Sequence, residues 1–122
     1  MDTPFFVVCK ADSTVQALLG GALPRIYPFG AAPQNVTKPY VVYQSAGGFP
    51  LNMLNCRPDA DSQDLQIDVY GLTTQSSVAV AEAIRYAVEL DCNITNYRGT
   101  IRETDTLLYR TGFDLTWLVM RT

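Results

Sequence analysis

The sequence predicts an α+β domain, a mostly antiparallel sheet of about four or five strands with its helices packed on one face. Three stretches of the 122-residue chain carry that expectation. From Asp64, the run Leu65, Ile67, Val69 alternates with Gln66, Asp68, Tyr70. Successive strand side chains point to opposite faces, so this strand buries one side and leaves the other polar. After Gly71, apolar residues fall at Val80, Ala81, Ile84, Ala87 and Val88, one stripe of a helix with Glu82, Arg85 and Glu89 outside it. Near the C-terminus Leu107, Tyr109, Thr111, Phe113, Leu115, Trp117 and Val119 alternate with Arg110, Asp114 and Thr116, a second half-buried strand.

The other elements follow in chain order. Pro4 to Lys10 forms a first helical turn or two. Ser13-Thr14-Val15-Gln16 has the Ser-x-x-Gln form of a reciprocal cap, opening a short helix with Val15, Leu18 and Leu19 inward. Gly20-Gly21 ends it, because glycine accepts the left-handed conformation just past a helix. Arg25-Ile26-Tyr27, between Pro24 and Pro28, is a brief edge strand, since proline cannot donate to a ladder. Pro28 to Pro39 is an ordered surface loop. Pro39 to Gln44 is apolar or aromatic on both sides, the pattern of a central strand covered on both faces, with the Tyr40 and Tyr43 hydroxyls needing partners if buried.

Gly47 to Ser62 is the least regular segment, a long loop between strands. Its apolar residues Phe49, Leu51, Met53 and Leu54 are foreign to a solvated linker. They either fold back on the core or dock on a partner. Thr73 or Thr74 caps the long helix. Asp91 to Arg98 is a connector, Gly99 to Glu103 opens a strand, and Gly112 allows a bulge or bend in the last one.

The composition, 48% hydrophobic, 17% charged and net charge −3, is that of one folded domain short of charge for a lone monomer. Part of its apolar surface is expected to meet other copies. A mildly acidic chain has no global attraction for nucleic acid. The three cysteines, Cys9, Cys56 and Cys92, fit neither a disulfide framework nor a zinc pattern and are expected to be reduced, in a cytoplasmic setting. Phe5 to Val8 is too short for a signal peptide or a membrane span, so no membrane partner is expected. The sequons at Asn35 and Asn93 carry no weight without secretion.

An enzyme is not expected. The chain has no histidine, which removes the usual general base and the commonest metal ligand. It has no phosphate-binding or dinucleotide-binding glycine pattern and no nucleophile elbow, so no cofactor is expected. Asp59-Ala60-Asp61-Ser62-Gln63-Asp64 begins like a calcium loop but lacks the glycine and glutamate that complete one. Asp68 and Asp114 are candidates to approach each other on the polar side of the sheet, where two carboxylates can act as acid and base.

Gly20-Gly21, the run Arg25 to Gln34 (RIYPFGAAPQ), Lys38 to Gln44 (KPYVVYQ) and Gln66 to Tyr70 (QIDVY), followed by the Ala-rich helix, resemble in order and spacing the tail completion, or tail terminator, proteins of long-tailed bacteriophages. The resemblance implies an α+β structural protein, located at the neck of the virion tail after assembly in the host cytoplasm. It implies a homo-oligomer, a hexameric ring on the head-proximal end of the tail tube. The ring stops tube growth and meets the tail tube protein and the head connector. DNA passes the lumen of such a ring, and an acidic or mixed lumen lets it slide without specific binding. Asp59, Asp61 and Asp64 are the candidates for lumen or rim charge. Phe49, Leu51, Met53 and Leu54 are the candidates for docking on tube or connector, with Arg57 adding a charge contact. The alternatives are another neck component, a monomeric ligand-binding α+β module, or an unusual carboxylate or thiol enzyme.

Overall fold

The computed structural model describes residues 3–52 and 54–121. Its elements run α1 (Phe5–Ala11), α2 (Ser13–Leu19), β1 (Ile26–Pro28), β2 (Tyr40–Pro50), β3 (Ala60–Gly71), α3 (Thr74–Val88), β4 (Asn93–Arg102) and β5 (Tyr109–Met120). The strands form one sheet in the order β1-β2-β3-β5-β4, with β1 parallel to β2 and every other pair antiparallel. The α+β class is as expected.

The helices lie on one face. Phe5 and Cys9 of α1, Val15 and Leu19 of α2, and Val80, Ala81, Ile84 and Val88 of α3 close over Ile26, Val41, Leu65, Ile67, Val69, Phe113, Leu115 and Trp117. Of these, Leu65, Ile67, Val69, Phe113, Leu115 and Trp117 are the alternate positions that pattern alone assigns to the buried side. Thr73 caps α3: its side chain accepts from the Ser76 N–H while Ser76 Oγ accepts from the Thr73 N–H. Ser77 ties the helix to the sheet through a bond of 2.9 Å between its Oγ and Thr111 Oγ1.

Several local expectations are corrected. The cap of α2 is Asp12, which accepts from the N–H groups of Thr14 and Val15, while the Gln16 amide donates back to the Lys10 carbonyl. A carboxylate one residue earlier outcompetes the Ser13 hydroxyl because it can accept two donors at once. Gly20 does end that helix, at φ 103°. The connector before Gly99 is shorter than expected, since β4 already begins at Asn93; β5 begins only at Tyr109, because Leu107 sits in a turn at φ 58°. The bulges lie on β4, at Ile94/Asn96 and Tyr97/Gly99, whereas β5 keeps unbroken register with β3 through Gly112.

The largest correction concerns Gly47 to Ser62. It is no long loop: β2 runs on to Pro50 and β3 starts at Ala60, which leaves only the nine residues 51–59 between them. A bulge at Ala46 hides the continuity by shifting the side-chain alternation by one residue. Nor is β2 covered on both faces. Val41 is buried under the helices, but Tyr40, Val42 and Gln44 face the other side and are only half-buried.

Candidate functional site: the outer face and its arm

The face away from the helices is polar at one end and apolar at the other. At the polar end Tyr40 and Tyr70, directly opposite across β2 and β3, stack with ring centroids 5.1 Å apart, and burial raises both phenol pKa values. Gln44 Nε2 donates to Gln66 Oε1 at 2.6 Å. Arg98, the residue thrown outward by the second β4 bulge, lies across the sheet. It donates from Nη1 to Asp68 Oδ1 (2.7 Å), from Nε to Asp114 Oδ1 (2.9 Å), and from Nη2 to the carbonyls of Ile67 and Phe113. Gly112 makes the room: a Cβ there would stand 2.5 Å from Arg98 Nη1. Desolvation opposes the charge of Arg98, but Asp68 and Asp114 outweigh it and raise its pKa.

Asp68 and Asp114 thus do share the polar face, but with a guanidinium between them. One guanidinium bonded to both carboxylates occupies an oxygen of each that an acid–base pair would turn toward a substrate. Two of the three thiols are equally unsuited to attack. Burial pushes Cys9 up to about 12 and Cys92 up to about 11, so neither supplies thiolate near neutral pH. Among the described residues no cluster of three or more metal-ligating side chains occurs, and no helix is long and apolar enough to cross a membrane.

The apolar end is an arm built from Gly47–Pro50 of β2, Ala60–Asp64 of β3 and Thr116–Met120 of β5. In register, Phe49 sits opposite Ser62 and Ser62 opposite Leu118; one step along, Leu51 donates its N–H to Ala60 O, and Ala60 sits opposite Met120. Two small buried residues, Ala60 and Ser62, therefore lie between four large exposed ones, Phe49, Leu51, Leu118 and Met120. Leu54, at the turn, is 92% exposed. Met53 lies outside the described residues. Leu118 and Met120 escaped the sequence reading, although the signal was there: the even positions of the last strand turn apolar at its end.

The acidic group is divided. Asp61 is 3% exposed and bidentate to Arg121, with Arg121 Nη2 and Nε at 2.8 and 3.0 Å. That hydrogen-bonded guanidinium holds the Asp61 carboxyl below the usual carboxylate range. Asp64 accepts from Thr116 Oγ1 at 2.7 Å. The Arg121 N–H also donates to Asp59 O, so the chain end clamps the arm through backbone and side chain together. The Asp59 side chain and Arg57 are exposed beside the apolar turn.

Helices gathered on one side, carboxylates closed by arginine and a projecting apolar arm define an assembly module, a protein whose working parts are its surfaces. The family model described as "Tail completion protein gp17" matches residues 4–120, and the chain belongs to that family. It is therefore a structural component of a phage tail. Among solved structures, a chain from the virion of a native gene transfer agent particle is similar over 96% of this chain and 92% of that one, with a TM-score of 0.71 and 16% identity, a likeness of fold. Among curated proteins, no sequence matches significantly.

Proposed function

We propose that copies of this chain close into a hexameric ring on the head-proximal end of the tail tube, ending its growth and presenting the surface on which the head connector joins. The role is structural, without a reaction or cofactor. The observation that carries it is the arm: Phe49, Leu51 and Leu54, joined by Leu118 and Met120, form apolar surface at the end of the sheet with no helix layer over it. An apolar centre with a charged rim is the anatomy of a protein contact, and Arg57 supplies the rim charge on this arm. The tail tube or the connector is its partner. Of the three acidic candidates, Asp59 is the one whose carboxylate is exposed and able to face passing DNA; Asp61 and Asp64 hold the arm together.

Replacing Phe49, Leu51, Met53 and Leu54 with Ser tests the arm. The variant is expected to fold, by far-ultraviolet circular dichroism and thermal melting, yet to leave tails of uncontrolled length that fail to join heads. Normal tails on full particles would show that the arm is no docking surface.

A further inference from the structure

The outer arm accounts for one end of the molecule, whereas a ring needs two further, mutually complementary flanks, because a head-to-tail contact joins different patches of neighbouring copies. The sheet order puts β1 and β4 at opposite edges, and the two edges differ in shape and in charge.

Along the β4 edge, α3 and the sheet leave a recess of about 240 Å³ walled by Val78, Ala81, Tyr97 and Phe113. Arg85 lies along it, donating from Nη1 to the Tyr97 hydroxyl at 2.7 Å with its guanidinium 5.6 Å from that ring's centre. Its Nε is buried and has no acceptor among the described residues. A buried N–H without a partner is costly, so the natural occupant is apolar and carries an acceptor oxygen beside it. Exposed Glu82, on α3, lines the recess, and exposed Glu89, the residue that caps α3, lies close enough to favour the charge of Arg85.

The β1 edge carries the converse. Phe29, directly after β1, is 74% exposed, and it opens the loop to β2, in which Pro33 and Pro39 carry a carbonyl but no N–H. Residues 13–58, which supply β1, this loop and β2, contain Arg25, Lys38 and Arg57 and no Asp or Glu. Lys38 stands in the same loop. Among the described residues no ion pair uses Lys38, Glu82 or Glu89.

Resting on the ring reading above, we infer that the recess between α3 and β4 receives Phe29 of a second copy, with a carbonyl of its loop accepting from Arg85 Nε and Lys38 facing Glu82 and Glu89. An aromatic anchor in an apolar pocket with opposite charges at its rim is the arrangement that concentrates binding energy. Because knob and socket lie on opposite edges, each copy offers one and accepts the other, a head-to-tail contact that closes into a ring where the rotation per copy divides a circle.

The test is assembly of the full-length protein, free and on purified tail tubes, followed by light scattering and negative-stain imaging. Phe29→Ala should raise the concentration for half-assembly by about thirtyfold or more. Lys38→Glu and Glu82→Lys should each raise it about fivefold, and their combination should recover most of the loss. On a Cys56→Ser background, Phe29→Cys with Val78→Cys should give, on oxidation, a covalent ladder running past the dimer. Rings that form normally in all these variants, or a ladder that stops at the dimer, overturn this contact while leaving the ring. A wild-type protein that makes no ring, alone or on tubes, fails the ring reading itself and this inference with it.

Discussion

Arg98→Met is the sharpest test of how the outer face is held. The methionine keeps most of the apolar stem but leaves Asp68 and Asp114 facing each other without their shared cation. The Arg98 side chain is 27% exposed and its partners 16% and 26%, so the site lies nearer the buried limit than the surface one. Breaking a fully buried pair costs about 3–5 kcal/mol and an exposed one about 0–1, which puts this loss at about 2–3 kcal/mol. For a domain of this length that is a fall in Tm of roughly 10 °C. Urea denaturation followed by tryptophan fluorescence reads it as a lower midpoint at constant slope. Gly112→Ala should cost a similar amount, since its Cβ takes the place of Nη1, and the two losses should not add. Adding Asp68→Asn and Asp114→Asn to Arg98→Met should return stability to within about 1 kcal/mol of wild type, because the orphaned charges are then gone. A loss below about 1 kcal/mol for Arg98→Met, unimproved by the two asparagines, would refute the idea that this triad holds the sheet.

Three further outcomes follow from other parts of the molecule. The Asp61 carboxyl sits below its ordinary value when folded, so the stability of its pair with Arg121 is complete above that ordinary value, about pH 4, and is lost as pH falls through the folded one. The hydrogen-exchange protection factors of the Leu51 and Arg121 amides, taken relative to the intrinsic rate at each pH, should therefore fall in acid, and Asp61→Asn should remove that fall; unchanged protection counts against the clamp. At pH 8 the native protein should take one fast alkylation, at exposed Cys56, and three once unfolded, with early modification of Cys9 or Cys92 contradicting their burial. Asp12→Ala should destabilise by about 1 kcal/mol and Ser13→Ala by a few tenths at most, a difference that equilibrium unfolding resolves.

What pattern alone reveals here, and what it misses, has a physical division. The periods of 2 and 3.6 residues report burial against the chain's own core, so Leu65, Ile67, Val69, Phe113, Leu115, Trp117 and the α3 stripe were all legible in order. Where burial against that core stops, so does the signal. Phe49 is a strand residue by its backbone, but among the described residues no helix covers its face of the sheet, and the bulge at Ala46 displaces the alternation that would have revealed the strand. Arg98 was hidden for a different reason, since a charge placed by a bulge obeys no period, and only the separation of Asp68 from Asp114 hinted that something lay between them. The same limit explains the mixed character of Tyr40 to Gln44. An apolar run on both sides of a strand predicts two covers, and the chain supplies one, leaving Val42 and the Tyr40–Tyr70 stack half-buried on a face framed by Phe29, Gly30 and Ala32. On the assembly role proposed above, that mismatch between what the pattern demands and what the monomer covers is the place for a partner to supply the second cover.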